Sequence, residues 1–217
     1  MQTKFAILVS NSARSICYLK YLKKNNLKPK NIVHLDDLSN NYFAKFLKKK
    51  NFYFESTHIK KFNTKTINKE VSSYLLKIPS KIIIYSGYPG IIIKKKKLLT
   101  AKNIVHAHPG KLPEYKGSTT IYYSLLKEKK IYCSTIVLNE KIDSGKIVMI
   151  KKYMVPKNLK LIDKEYDNEI RANNIVLFIK KLKKTNVKKN IYSTAYHVIH
   201  PVLRSIVLNK KKYKIRK

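Results

Sequence analysis

The chain has 217 residues, with 48 lysines and arginines against 12 acids and a formal charge of +36. That length suits one α/β domain with a buried core and is short for two domains with linkers. Every apolar cluster is broken by lysine within a few positions, so no stretch reads as a bilayer span. Cys17 and Cys133 lack CxxC spacing, so they indicate neither a disulfide framework nor a zinc ribbon. The charge invites a nucleic-acid reading, yet only Arg14, Arg171, Arg204 and Arg216 are arginine, the residue whose planar fork reads phosphates and bases best. Lysine among abundant Ile, Asn and Tyr is what A+T-rich codons supply. No specific nucleic acid is therefore expected, and the field would equally favour an anionic small substrate. The opening MQTKFAILVSNSARS lacks signal-peptide length and flanks, which makes a soluble cytoplasmic protein the expectation.

In chain order, residues 4–9 form an apolar run, and Ser12 is placed to cap a helix bearing Ile16, Leu19 and Leu22 at helical spacing. Strand-like runs follow at Asn31–Leu35, Phe52–Glu55, Lys81–Tyr85, Asn103–Ala107, Ile131–Leu138 and Lys146–Tyr153. Helical patterns fall at 40–49, 65–77 and 118–127, the last capped by Ser118. Residues 158–184 read as one long amphipathic helix capped by Asn158, burying Leu159, Ile162, Tyr166, Ile170 and Ile175–Leu182. Alternating strands and helices predict an α/β fold with a doubly wound, mostly parallel, Rossmann-like sheet and a long C-terminal helix. The division is a single domain over 1–184 and a basic tail over 185–217 that frays into solvent.

Open α/β sheets bind ligands beyond the carboxyl ends of their strands. This selects Ser10–Ser12, Ser86–Gly90, His106–Gly117 and Asn139–Gly145. His106 and His108 stand at i and i+2 of a strand, so both imidazoles point to one side, and Pro109 ends the strand. A lone histidine is most often a core or surface residue; two like-facing ones at a strand's carboxyl end are hard to explain as packing. Acids are scarce here: between Val71 and Ile162 only Glu114, Glu128, Glu140 and Asp143 occur. Asp143 precedes Ser144-Gly145, a tight-turn pattern that would fix its carboxylate. A histidine oriented by a carboxylate is a standard acid/base unit near neutral pH.

HAHPGKLPEYKGSTTIYYSLL (106–126), followed by NEKIDSG (139–145), resembles the core of the folate-dependent formyltransferases, whose members include glycinamide ribonucleotide, methionyl-tRNA and sugar N-formyltransferases. His108-Pro109, Leu112-Pro113, Tyr115 and Gly117 match the family pattern in register, and Asp143 falls where its catalytic aspartate is expected. YSGYPGIII (85–93) resembles a further family segment. The resemblance covers roughly residues 1–155 and is specific over 106–145. His106 departs from the family, replacing its asparagine; an imidazole N–H can donate to an oxyanion as the amide does, more strongly when protonated. Gly110 replaces the usual serine, which would leave room beside the reacting centre.

The resemblance implies 10-formyltetrahydrofolate as donor, a primary amine as acceptor and no metal. His106, His108 and Asp143 would be catalytic. Tyr88, Pro89, Gly90, Ile91 and Ile92, with Leu138, Asn139, Glu140 and Ile142, would receive the pterin. Ser10, Asn11 and Ser12, with Lys111, Tyr115 and Gly117, would meet an anionic acceptor. An amino sugar, nucleotide-linked, is favoured by elimination: the residues after the last long strand are too few for the extra tRNA-binding domain of the methionyl-tRNA enzymes, and the glycinamide ribonucleotide enzymes keep the asparagine. A homodimer is left open. Two other readings stand: a metal-dependent hydrolase using His106, His108 and Asp143 as ligands of zinc or iron, and a basic RNA-binding protein.

Overall fold

The computed structural model describes residues 4–38, 45–46, 54, 57–88, 93, 95–182 and 196–209. In chain order the elements are β1 (Phe5–Ser10), α1 (Ala13–Lys24), β2 (Asn31–Leu35), β3 (His58–Phe62), α2 (Lys69–Lys77), β4 (Ile82–Ser86), α3 (Lys96–Ala101) and β5 (Asn103–His108). They continue with β6 (Gly117–Ser118), α4 (Ile121–Glu128), β7 (Ile131–Val137), β8 (Lys146–Tyr153), α5 (Asp167–Lys181), β9 (His197–Val198) and α6 (Pro201–Asn209).

Seven strands form one sheet in the order β3-β2-β1-β4-β5-β7-β8. The first five run parallel, and β7 and β8 add as antiparallel neighbours. β1 shows why both faces must be covered: all six of its residues are buried. Phe5, Ile7 and Val9 pack into one core with α1, α4 and α5, whereas Ala6 and Leu8 face a second core with α2 and Leu98 of α3. Period-two alternation thus feeds two layers of helices, the doubly wound arrangement expected from the sequence.

Ser12 caps α1, its hydroxyl accepting from the Ser15 amide at 3.2 Å. Several expected boundaries shift. The helix expected from 65 begins at Lys69, because the Asn68 carboxamide accepts from the Val71 amide at 2.9 Å and fixes the start there. Ser118 does not cap α4; it lies in β6, and α4 starts after Thr120 without a side-chain cap. β3 was not foreseen, since HIKKF exposes four of its five residues and shows no alternation. The expected strand at 52–55 and helix at 40–49 fall almost wholly outside the described residues.

The long helix expected over 158–184 is three pieces. Asn158 caps a 3₁₀ turn at Leu159–Leu161, a π turn follows at Ile162–Tyr166, and α5 runs from Asp167. Apolar spacing reads smoothly through this stretch because spacings of three and four satisfy all three geometries. The wider turn coincides with two side-chain ties, from the Tyr166 hydroxyl to the Met154 carbonyl and from Asp163 to Arg204 of α6.

Within the segment expected to fray, residues 196–209 contribute structure instead. β9 pairs in parallel with β6, Gly117 opposite His197, and Ile199 and Val207 are buried in the core that contains α4 and α5. Basic composition hid this, because only two of the segment's described residues, Ile199 and Val207, are buried. Gly117 makes the docking feasible: its φ is +128°, and an added Cβ would lie 2.0 Å from the His197 carbonyl oxygen. Gly117→Ala is therefore expected to cost about 1–3 kcal/mol and to raise amide hydrogen exchange over 197–209 while leaving β1–β5 protected. Unchanged exchange in that segment would contradict the contact.

Candidate active site

The crevice where the strand order reverses, between β1 and β4, is closed by serines. The hydroxyls of Ser10 and Ser15 both donate to the Ser86 carbonyl at 3.0 Å, and Ser12 joins them through Ser15. The cavity opens instead beyond β4 and β5, where His106, His108 and Asp143 line a space of about 180 Å³.

His108 is 2 % exposed and held at both ring nitrogens. Its Nε2 lies 2.7 Å from the Tyr115 carbonyl oxygen. A carbonyl only accepts, so Nε2 carries a proton and donates it there. Thr120 Oγ1 stands 3.2 Å from the same nitrogen while donating to the Pro109 carbonyl. Nδ1 is thereby left as the ring's lone-pair nitrogen, and it faces Asp143 Oδ1 at 3.5 Å.

Gly110 is what lets these groups meet. A Cβ there would lie 2.6 Å from Thr120 Oγ1, 2.7 Å from the Tyr115 carbonyl oxygen and 3.0 Å from His108 Nε2. The room expected beside the reacting centre is thus already filled by the groups that hold the histidine. Ser134 of β7 anchors the same loop, donating to the Gly110 carbonyl at 2.6 Å and accepting from the Leu112 amide at 3.0 Å.

Asp143 sits in the β7–β8 turn with a positive φ of +47°, tolerable for aspartate. Asn139 braces that turn by donating to the Ser144 carbonyl at 2.9 Å, and Gly145 packs so closely that a Cβ would lie 1.9 Å from the Val137 carbonyl oxygen. Burial pulls the Asp143 carboxyl up, but the His108 ring, His106 and Arg171 outweigh it and hold the group below the ordinary aspartate value.

His106 is half-buried, with Nδ1 3.5 Å from the Tyr85 carbonyl and its ring edge-on to Tyr85 at 6.0 Å. Burial, then the charges of Arg171 and Arg14, push it down to about 3 against the pull of Asp143. It is neutral at physiological pH, so any hydrogen bond it donates is the neutral kind.

Among the described residues no group of three or more His, Cys, Asp or Glu is gathered as a metal-ion site. Tyr88, Leu138, Asn139 and Ile142 line the cavity, and Glu140 lines a neighbouring trough. Pro89, Gly90, Ile91 and Ile92 lie outside the described residues. Gly117 lines the cavity; the other five residues expected to meet an acceptor are engaged elsewhere. Asn11 donates to Asp36 at 2.6 Å and bonds His34, Lys111 pairs with Glu114, and the Tyr115 hydroxyl donates to Glu128. Tyr115 serves the site through its carbonyl.

A formyl transferase family model matches residues 3–182. The chain belongs to the formyl transferase family. A methionyl-tRNA formyltransferase from Buchnera aphidicola subsp. Acyrthosiphon pisum is 37 % identical over 75 residues, 34 % of this chain and 24 % of that protein. The curated relatives are thus matched over between a quarter and a third of their length. A sugar N-formyltransferase from Shewanella sp FDAARGOS_354 superposes with a TM-score of 0.64 at 14 % identity, covering 94 % of this chain and 86 % of that one. A phosphoribosylglycinamide formyltransferase from Anaplasma phagocytophilum gives 0.60 at 12 %, covering 90 % and 98 %. At these identities the structural likeness supports the fold.

The cavity residues that sequence reasoning missed include Arg14, Arg171 and Tyr196. Arg14 donates to the Gly87 carbonyl from α1, and Arg171 of α5 donates to the Ala107 carbonyl at 3.1 Å while pairing with Asp167. A signal was available, because arginine is rare here and two of the four arginines line the cavity. Tyr196 carried none; it arrives only because β9 docks on β6.

His106 and His34 also make a prediction about stability. Burial holds His34 down to about 4. Both histidines stay neutral in the folded state below their ordinary 6.5, so between pH 6.5 and about 4 the unfolded chain binds more protons. Stability is full above that window and falls as pH drops through it, by up to about 1.4 kcal/mol per pH unit for each group. In urea unfolding between pH 7.5 and 5, His106→Asn should show a shallower decline than the parent. An identical slope would contradict the neutral assignment.

Proposed function

We propose that this protein transfers a formyl group from 10-formyltetrahydrofolate to a primary amine. The observation that carries this reading is the His108–Asp143 pair, with Nε2–H committed to Tyr115 and Nδ1 facing Asp143 inside the cavity. The cavity suits the donor's flat heterocycle. Ile93, Leu138 and the Tyr88 ring give it apolar surface, and the buried Tyr85 hydroxyl has no hydrogen-bond partner among the described residues. The donor supplies the formyl carbon; this chain's residues position it and manage the proton.

As the amine attacks, the nitrogen becomes cationic and the formyl oxygen anionic. His108 Nδ1 accepts a proton from the attacking nitrogen, and the resulting imidazolium lies against Asp143, whose carboxylate is held ionised by the same surroundings. Neutral His106 has a single N–H; carried on Nε2 rather than on the Nδ1 that faces the Tyr85 carbonyl at 3.5 Å, it donates toward the oxyanion, and the nearby Arg14 and Arg171 add positive field. Collapse then expels the tetrahydrofolate nitrogen, which receives the proton. Holding both reactants in one small cavity supplies further acceleration.

For the acceptor we favour an amino sugar linked to a nucleotide. Two cavity arginines suit an anionic acceptor, and the Shewanella protein of similar fold is a sugar N-formyltransferase. The Buchnera match, at higher local identity, favours an aminoacyl-tRNA instead. Offering both acceptor classes with the donor and measuring formylated product separates the two.

Asp143→Asn and His108→Ala are each expected to lower kcat by about 10²–10⁴-fold. His106→Asn, which restores the amide donor of the family, should retain transfer within about tenfold of the parent. Turnover by an Asp143→Asn/His108→Ala double variant at the parent rate would end the scheme.

A further inference from the structure

The carbonyl that takes His108 Nε2–H belongs to Tyr115, whose side chain is tied elsewhere. Its hydroxyl donates to Glu128 Oε1 at 2.8 Å, and the Tyr132 hydroxyl of β7 donates to Oε2 of the same carboxylate at 2.9 Å. Burial pulls the Glu128 carboxyl up, but the two phenols, then Lys111 and Lys130, hold it below the ordinary glutamate value. Burial and the bond to Glu128 push the Tyr115 phenol up to about 12. At neutral pH the contact is therefore a phenol donating to a carboxylate, a charge-assisted hydrogen bond.

Helix formation does not ask for an acid at this position. Glu128 is the last residue of α4, where the negative end of the helix dipole disfavours a carboxylate by about 0.3–1 kcal/mol. At the other end of the same helix the N-cap residue, Thr120, places Oγ1 3.2 Å from His108 Nε2. One helix thus touches the histidine at its start and holds the histidine's hydrogen-bond partner at its end. The intervening loop is close-packed: Tyr115 is 7 % exposed, and a Cβ on Gly110 would lie 2.7 Å from the Tyr115 carbonyl oxygen. A shift of the Tyr115 ring is therefore passed on to its carbonyl instead of being absorbed by empty space.

We propose that Glu128 is a positioning residue for the transfer reaction: by holding the Tyr115 hydroxyl it fixes the carbonyl that takes His108 Nε2–H, and so leaves the lone pair on the nitrogen that faces Asp143. The proposal rests on formyl transfer through His108. Glu128 is not among the residues that line the cavity, so it acts through Tyr115 and not on a reactant.

The test combines turnover with nitrogen-15 NMR of His108. Glu128→Ala and Tyr115→Phe remove the bond from opposite ends, and the second keeps the ring and its packing. Each should lower kcat about ten- to a hundredfold with the donor KM little changed, and should move part of the neutral His108 population to the Nδ1–H tautomer. Combined in one chain, the two should cost no more than either alone, because both break the same contact. Glu128→Gln, whose carboxamide can accept from one phenol and donate to the other, should stay close to the parent in both readouts. Tyr132→Phe, which spares the Tyr115 bond, should do the same. A lower urea midpoint with an unmoved tautomer would mark a merely structural role and overturn the proposal, as would additive losses in the double variant. Formyl transfer would stand in either case. The tautomer readout needs no substrate, so a parent chain that forms no formylated amine would by itself end the transfer reading, and Glu128's part in it.

Discussion

The hydrogen bond from His108 Nε2 to the Tyr115 carbonyl is the contact on which the site depends. It commits one ring nitrogen and so decides which face of the imidazole can do chemistry. It also accounts for neighbouring choices of residue. Gly110 is small because Tyr115 and Thr120 must crowd the ring, and Ser134 clamps the loop that presents the carbonyl. β7 and β8 extend an otherwise parallel sheet with an antiparallel pair. That pair supplies both the serine that anchors the loop and the turn that carries Asp143.

Electrostatics in the cavity follow from placement. A chain of charge +36 has no shortage of cations, yet most are lysines outside the cavity, and exposed charges are screened within about 10 Å. Arg14 and Arg171 act at closer range and under partial burial. Their field adds to burial in keeping His106 neutral, Arg171 adds to the His108 ring in favouring ionised Asp143, and both leave the cavity attractive to anions.

The sheet and the gathering of His106, His108 and Asp143 at one cavity were legible in the sequence because they follow short-range rules. Apolar, strand-like runs marked β1, β2, β4, β5, β7 and β8. Proline after two like-facing histidines marked the end of β5, and the scarcity of acids drew attention to Asp143. What escaped depends on long-range packing. β3 is charged and exposed, so it lacks the apolar signature of a strand. The π turn at Ile162–Tyr166 satisfies the same apolar spacing as a continuous helix. Ser10, Asn11 and Ser12 sit where a ligand loop was expected, but hydrogen bonds to Ser15, Ser86, Asp36 and His34 consume their polar groups. The docking of residues 196–209, which brings Tyr196 to the cavity, turns on Gly117 and two buried side chains far apart in the chain.

The central claim is that His108 keeps its proton on Nε2 and works through Nδ1. Nitrogen-15 NMR of histidine-labelled protein reports each ring nitrogen separately. Across a pH titration, the Nε2 resonance of His108 should remain that of a protonated nitrogen while the Nδ1 resonance moves between bare and protonated positions. A neutral His108 with its proton on Nδ1 would contradict the account, because Nδ1 could not then accept a proton from an attacking amine.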